Sequence, residues 1–107
     1  MASIPQLTPL EARDLLAEDA DAVLLDVREE WEYEQAHVEG SRLIPMGELP
    51  ERVDELNPAH TLVVLCHHGN RSQQVATWLQ SHGYTVNNVA GGIQAWAETV
   101  DPSLPQY

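Results

Sequence analysis

The chain has 107 residues, enough for one compact domain with a modest hydrophobic core. Hydrophobic residues make up 43% of it, which predicts a folded chain rather than an intrinsically disordered one. Seventeen acidic residues face five basic ones, all arginine, and the resulting net charge of −12 disfavours binding to nucleic acids and to anionic lipid surfaces.

Helices and short apolar strands are predicted to alternate from the start of the chain. Thr8 is the expected N-cap of a first helix, because Pro9 follows it and Glu11 can close a capping box. A strand buried on both faces is expected over residues 22–25, ending at Asp26. The apolar stripe of the first helix is expected from Leu10, Leu15 and Leu16.

The same alternation continues to the end of the chain. Three elements are predicted before residue 60: an acidic helix over 29–36, a strand over 43–44 and a helix over 48–56. Four more follow: a strand over 61–65, a helix over 73–82, a strand over 85–89 and a last helix opened by Gly91 and Gly92. The pattern predicts an α/β fold, a small parallel β-sheet flanked by helices on both faces. Sites in such sheets form beyond the carboxyl ends of the strands, where Asp26 and Cys66 lie.

A single domain over residues 1–107 is expected, and a monomer is the default. No apolar stretch approaches the roughly 20 residues that a membrane-spanning helix needs, so no membrane association is predicted. The first residues show neither the basic start nor the apolar core of a secretory signal, which predicts a cytoplasmic protein. Cys66 is the sole cysteine and cannot form an internal disulfide, in agreement with a reducing compartment.

Residues 66–72, with the sequence Cys-His-His-Gly-Asn-Arg-Ser, form the most informative segment. An apolar strand delivers Cys66 to a polar loop, and the helix expected to begin near Ser72 adds partial positive charge from its N-terminus. Gly69 and Asn70 tolerate the left-handed backbone of a tight anion cradle made of N–H groups. This position favours a reactive, partly ionised thiol over a buried core cysteine.

Arg71 lies five positions after Cys66, which gives the spacing C-x4-R. Two roles for its guanidinium remain open, contact with an anionic substrate or an ion pair that ties the loop to a nearby carboxylate. The adjacent His67 and His68 are expected to point in different directions at the rim of the pocket. A metal site that combines them with Cys66 and His60 is not expected, because the spacing matches no familiar ligand pattern.

Four segments occur in an order that is typical of one family. They are Asp26-Val27-Arg28, then Glu34 to His37 with the turn Gly40 to Pro45, then the loop Cys66 to Ser72, and finally Gly91-Gly92-Ile93-Gln94-Ala95-Trp96. Together they resemble the rhodanese family of sulfurtransferases in its single-domain form. The resemblance covers nearly the whole chain and implies the rhodanese-like fold.

The resemblance also implies a reaction that uses neither a cofactor nor a metal. Cys66 would take a sulfane sulfur from a small anionic donor such as thiosulfate, hold it as a persulfide and pass it to cyanide, a thiol or an acceptor protein. Asp26 and Arg28 would support the loops, as an ion pair or by capping backbone groups. The substrate-binding residues implied by the family are His67, His68, Gly69, Asn70, Arg71 and Ser72.

Two alternative functions also depend on a reactive cysteine in a loop of this kind. Rhodanese-like phosphatases and arsenate reductases carry one more residue, C-x5-R, which makes room for a tetrahedral anion, so the shorter spacing here favours sulfur. A persulfide carrier or interaction module that receives sulfur from a partner protein would use the same Cys66 chemistry. The sequence therefore does not separate that module from an enzyme acting on small donors.

Overall fold

A computed structural model describes residues 3–106 as a parallel β-sheet with helices on both sides. The strands are β1 (Gln6–Leu7), β2 (Val23–Asp26), β3 (Arg42–Leu43), β4 (Thr61–Leu65) and β5 (Thr85–Val89). The helices are α1 (Pro9–Glu18), α2 (Glu30–Gln35), α3 (Leu49–Arg52), α4 (Asn70–Ser81) and α5 (Gly92–Thr99). The strand order is β1-β5-β4-β2-β3 and every pairing is parallel, which confirms the predicted α/β fold.

The central strand β4 is buried on both faces, as its continuous apolar run requires. Leu62 and Val64 pack on the face covered by α3 and α4. Val63 and Leu65 pack on the opposite face, against side chains of α1 and α5. On that second face Trp96 lies in the core with Ile93, as predicted. The two helical layers hold the sheet edge at which Cys66 emerges.

Helix α1 begins where the sequence predicts, but one residue of its predicted apolar stripe, Leu10, does not face the core. Thr8 caps the helix and forms the predicted capping box with Glu11. Leu10 is 43% exposed, whereas Ala12 is fully buried and Leu15 packs beside it. Because two residues subtend about 200° of a helix, Leu10 lies on the side opposite Ala12 and faces away from the core.

The helix predicted over 48–56 is α-helical only in α3, with 3-10 turns at Met46–Glu48 and Val53–Glu55. The apolar residues of this segment occur at spacings of three, four and three. Three-residue turns at both ends therefore keep their side chains on one core face. These residues are Met46, Leu49, Val53 and Leu56, all packed in the same cluster.

Strand β3 lies one residue earlier than predicted, and two larger differences concern a missed strand and the start of a helix. The two-residue strand β1 pairs with β5 at the sheet edge and was not predicted. Helix α4 begins at Asn70, earlier than residue 73, because Gly69 takes a left-handed conformation (φ 107°) and turns the chain directly into the helix. In the part of the chain that the structure describes, none of the helices has the length and apolar character needed to cross a bilayer.

Candidate active site

The site lies at the carboxyl edge of the sheet, where Cys66 follows β4. Cys66 is a free cysteine, without a disulfide bond, and is only 1% exposed. The loop after it turns into α4, so the thiol lies near the N-terminus of a twelve-residue helix. An open cavity of about 250 Å³ leads to it, lined by Cys66, His67, His68, Asn70 and Arg71.

Two hydrogen-bond donors converge on the sulfur of Cys66. The backbone N–H of Gly69 lies 3.0 Å from Sγ, and the hydroxyl of Ser72 lies 3.2 Å from it. Glycine is required at position 69, because its φ is positive and a Cβ there would lie 3.2 Å from the backbone nitrogen of Gly91. Donors in this arrangement stabilise negative charge on sulfur.

The segment Gly91-Gly92 lets α5 approach the back of the loop. The backbone nitrogen of Ile93 donates to the carbonyl of Cys66 at 2.8 Å, and that of Gln94 donates to the carbonyl of His67 at 3.2 Å. A Cβ on Gly92 would lie 2.3 Å from the His67 carbonyl oxygen. The first N–H groups of α5 therefore fix the backbone of the loop that follows β4, and this contact requires glycine.

Arg71 forms a two-point ion pair with Glu32 of α2. Nη1 lies 2.6 Å from Oε1, and Nη2 lies 2.8 Å from Oε2. Of the two roles left open by the sequence, the structure shows the contact with a carboxylate. Glu32 is buried and was not singled out from the sequence, because it reaches Arg71 across 39 positions.

Asp26 and Arg28 form an ion pair whose two side chains are fully buried. Nη2 of Arg28 lies 2.7 Å from Oδ2 of Asp26 and also 2.7 Å from the carbonyl of Ala36. Nη1 of Arg28 donates to the carbonyl of Glu32 at 3.3 Å. The pair thus ties α2 to the end of β2 and helps to place the carboxylate that holds Arg71.

His67 and His68 do not point in different directions, so that expectation was wrong. Their rings stack with centroids 4.0 Å apart and planes at 23°. Residues 67–69 form bends rather than a strand, so neighbouring side chains do not alternate. Nε2 of His68 is hydrogen-bonded to Oε1 of Gln94 on α5, which turns its ring toward that helix. Burial lowers the pKa of His67, and the adjacent His68 lowers it further.

Asn88, on β5, is the second residue of the site that sequence reasoning did not single out. Its side chain connects Ser72 to the loop carbonyl of Gly69. The available signal was a pair of asparagines in the strand sequence Thr-Val-Asn-Asn-Val, where a buried strand normally carries apolar residues.

Within residues 3–106, no group of three or more His, Cys, Asp or Glu side chains is placed to hold a metal ion.

Comparison with known proteins identifies the family of the chain. Residues 8–99 match the model of the rhodanese-like domain, and the chain belongs to this family. The motif-based resemblance is therefore confirmed. A solved structure, a rhodanese-like domain protein from Staphylococcus aureus, superposes with a TM-score of 0.83 at 28% identity, covering 97% of this chain and 99% of that one.

Three curated relatives differ in length. The chain is 46% identical over 92 residues to Rhodanese-like/PpiC domain-containing protein 12, chloroplastic, of Arabidopsis thaliana, covering 81% of this chain and 31% of that protein. It is 36% identical over 96 residues to the putative sulfur carrier protein YrkF of Bacillus subtilis, covering 89% of this chain and 52% of that one. The thiosulfate sulfurtransferase GlpE of Stutzerimonas stutzeri is 30% identical, with 92% of this chain and 90% of that protein covered. The chain thus spans about a third to a half of the first two and nearly all of the third.

Proposed function

We propose that this protein transfers sulfane sulfur through a persulfide formed on Cys66. The observation that carries the proposal is the environment of the sulfur, which receives the Gly69 N–H and the Ser72 hydroxyl at the N-terminal end of α4. The spacing C-x4-R supports sulfur over a tetrahedral phosphate. Relatives of similar sequence are named as a thiosulfate sulfurtransferase and a putative sulfur carrier.

The proposed reaction has two balanced half-steps. The Cys66 thiolate attacks the sulfane sulfur of the donor, and its electron pair forms the new S–S bond. The donor's own S–S bond breaks, and its electron pair leaves with sulfite when the donor is thiosulfate. An acceptor such as cyanide or a thiolate then attacks the outer sulfur, and the bonding pair returns to Cys66 as thiolate. No external oxidant, cofactor or metal is needed for this balance.

The roles of the loop follow from where charge develops. In the persulfide the negative charge lies on the outer sulfur, which points into the cavity. The proposal assigns the backbone of residues 67–71 and the N-terminus of α4 to the stabilisation of that charge. Arg71, His67 and His68 line the same cavity and would shape access for the donor and acceptor.

A second candidate function is sulfur transfer from a protein persulfide rather than from thiosulfate. All five arginines lie within residues 3–106, and each forms an ion pair. The cation nearest the cavity is therefore already opposed by Glu32, in a chain of net charge −12. A dianionic donor such as thiosulfate therefore gains little electrostatic attraction at the cavity. A cysteine persulfide carries less negative charge, so it is repelled less by the acidic chain. The pairs are Arg13–Asp14, Arg28–Asp26, Arg42–Glu55, Arg52 with Glu48 and Glu55, and Arg71–Glu32.

The test is intact-mass measurement after incubation with thiosulfate, beside a Cys66→Ser control. The proposal expects the wild type alone to gain one sulfur atom and to lose it when cyanide is added. A parallel incubation with a protein cysteine persulfide separates the two candidate donors. If neither donor adds sulfur while Cys66 remains open to alkylation, sulfur transfer is wrong, and turnover of phosphate esters becomes the next measurement.

A further inference from the structure

Asn88 lies near the carboxyl end of β5 and has a polar side chain, yet it is only 2% exposed. A buried amide is costly unless its groups are hydrogen-bonded. Its Nδ2 donates to Oε1 of Gln6 at 2.8 Å and to the carbonyl of Gly69 at 3.2 Å. A backbone carbonyl can only accept, so Nδ2 must face Gly69 and Oδ1 must face the hydroxyl of Ser72, 2.5 Å away.

The hydroxyl of Ser72 therefore has one proton and two acceptors. Oδ1 of Asn88 lies 2.5 Å from Oγ, and Sγ of Cys66 lies 3.2 Å from it. A neutral thiol is a weak acceptor, so the amide oxygen holds the proton while Cys66 is neutral. An anionic sulfur is a much stronger acceptor and competes for the same proton. The charge on Sγ decides which way the hydroxyl turns.

We infer that Asn88 is a positioning residue that withholds the Ser72 hydroxyl proton from Cys66 unless the sulfur carries negative charge. In the persulfide, charge lies on the outer sulfur and Sγ is neutral, so the hydroxyl returns to Asn88. Asn88 thus favours the sulfur-loaded state over the free thiolate, a consequence that rests on the proposed function. Its effect on the free thiol does not depend on sulfur transfer.

Loss of Asn88 leaves the rest of the loop anchored. The carbonyl of Gly69 also accepts from the backbone nitrogen of Gln73 at 3.2 Å, so the turn into α4 keeps a second hydrogen bond. The titratable groups around the cavity are His67 and His68 on the loop and the Arg71–Glu32 pair between α4 and α2. A substitution at position 88 changes none of these groups, so they contribute equally to each variant.

The test is the pH dependence of Cys66 alkylation by iodoacetamide, without any sulfur donor. Cys66 is the sole cysteine, so the rate reports on this thiol alone. Asn88→Leu removes the competing acceptor and leaves the Ser72 proton to the sulfur. In this variant the Ser72 hydroxyl no longer has to break its hydrogen bond to Asn88 before it can donate to the sulfur. The midpoint of the plot of alkylation rate against pH should therefore fall by about half to one pH unit. At a pH below the midpoint this shift gives roughly three- to tenfold more thiolate.

Two controls separate this role from a loosened structure. Ser72→Ala removes the hydroxyl, and in that background Asn88→Leu should leave the midpoint unchanged. Asn87→Leu alters the neighbouring residue of β5, whose side chain contacts the carbonyl of Leu62, and should also leave the midpoint unchanged. Asn88→Ala replaces Asn88→Leu if the latter does not fold.

A midpoint that rises or stays fixed on loss of Asn88 overturns the inference. An equal fall in the Ser72→Ala background overturns it too, because the effect would then bypass the hydroxyl. The mass experiment on sulfur loading fails or succeeds independently of this result, so an error in the proposed function is recognised separately.

Discussion

Arg71 and Glu32 face each other in a two-point ion pair, with N–O distances of 2.6 and 2.8 Å. The carboxylate side chain is 5% exposed, whereas the guanidinium is 35% exposed. The cation beside the candidate nucleophile is therefore held by α2 as well as by its own helix, α4. This pair joins the start of α4 to α2 and also reduces the positive charge offered to an anion.

Replacing Glu32 by Gln tests which of these two effects matters more for a dianionic donor. Glu32→Gln keeps an oxygen that accepts from Arg71 but removes the opposing charge, so the KM for thiosulfate should fall by roughly fivefold. The matched control is Glu30→Gln, which removes one exposed acid from the same helix. Steady-state kinetics of the two variants supply the comparison, and equal KM values would contradict this role of the pair.

The net charge of −12 gives an expectation for ionic strength. Salt screens repulsion between the acidic surface and thiosulfate, over a Debye length of about 10 Å at 0.1 M. We expect kcat/KM for thiosulfate to rise with added KCl. Alkylation of Cys66 by neutral iodoacetamide is the control and should not change. A flat or falling kcat/KM would mean that the charge of the loop itself dominates.

The sequence determines most of this fold because its signals are local. The apolar run of β4 and the range of β5 agree with the predicted bounds, since each is set by its own residues and by flanking turns. Strand β1 has two residues and no periodicity, and it exists only because β5 offers a pairing edge. Local sequence cannot indicate such a strand.

The candidate site also combines residues that local sequence indicates with residues that only the packing of the fold brings together. Residues 66–72 are contiguous, so this loop could be singled out from the sequence alone. Glu32 and Asn88 reach Arg71 and Ser72 across 39 and 16 positions, through contacts that the packing of α2 and β5 creates. No spacing pattern encodes those contacts. The stacked histidines were mispredicted because the bends of the loop, not a strand, set their direction.

The buried Asp26–Arg28 pair should prove structural rather than catalytic. Arg28→Met leaves Asp26 as an uncompensated buried charge, which should cost about 3–5 kcal/mol of unfolding free energy. Replacing both residues, as Asp26→Leu with Arg28→Met, should cost less than the single change. Urea denaturation measures both. A single variant of unchanged stability that has lost sulfur transfer would instead indicate direct participation in the reaction.

Gly92 should tolerate no side chain, because its missing Cβ lets α5 reach the loop. In Gly92→Ala the new carbon would lie 2.3 and 2.5 Å from the carbonyl oxygens of His67 and Cys66. The matched control is Gly83→Ala, since Gly83 has φ +91° but nothing within 4 Å of its missing Cβ. The control should lose about 1–2 kcal/mol from backbone strain. Gly92→Ala should lose clearly more in urea denaturation and should react more slowly with iodoacetamide, and equal losses would contradict the close approach.

Stability should depend on His67 between neutral and mildly acidic pH. Burial is the main cause that lowers the pKa of His67 in the folded chain, and the neighbouring His68 lowers it further. In the unfolded chain the pKa of a histidine is about 6.5. Below that value the unfolded chain binds more protons, so the contribution of His67 is present above pH 6.5 and is lost as the pH falls toward the folded pKa. His67→Gln should therefore lose less stability than the wild type between pH 7 and pH 5. Urea midpoints measure this, with His82→Gln at the end of α4 correcting for the removal of one imidazole. If the His67→Gln and wild-type midpoints fall by the same amount, the half-buried His67 is not the group that weakens the fold in acid.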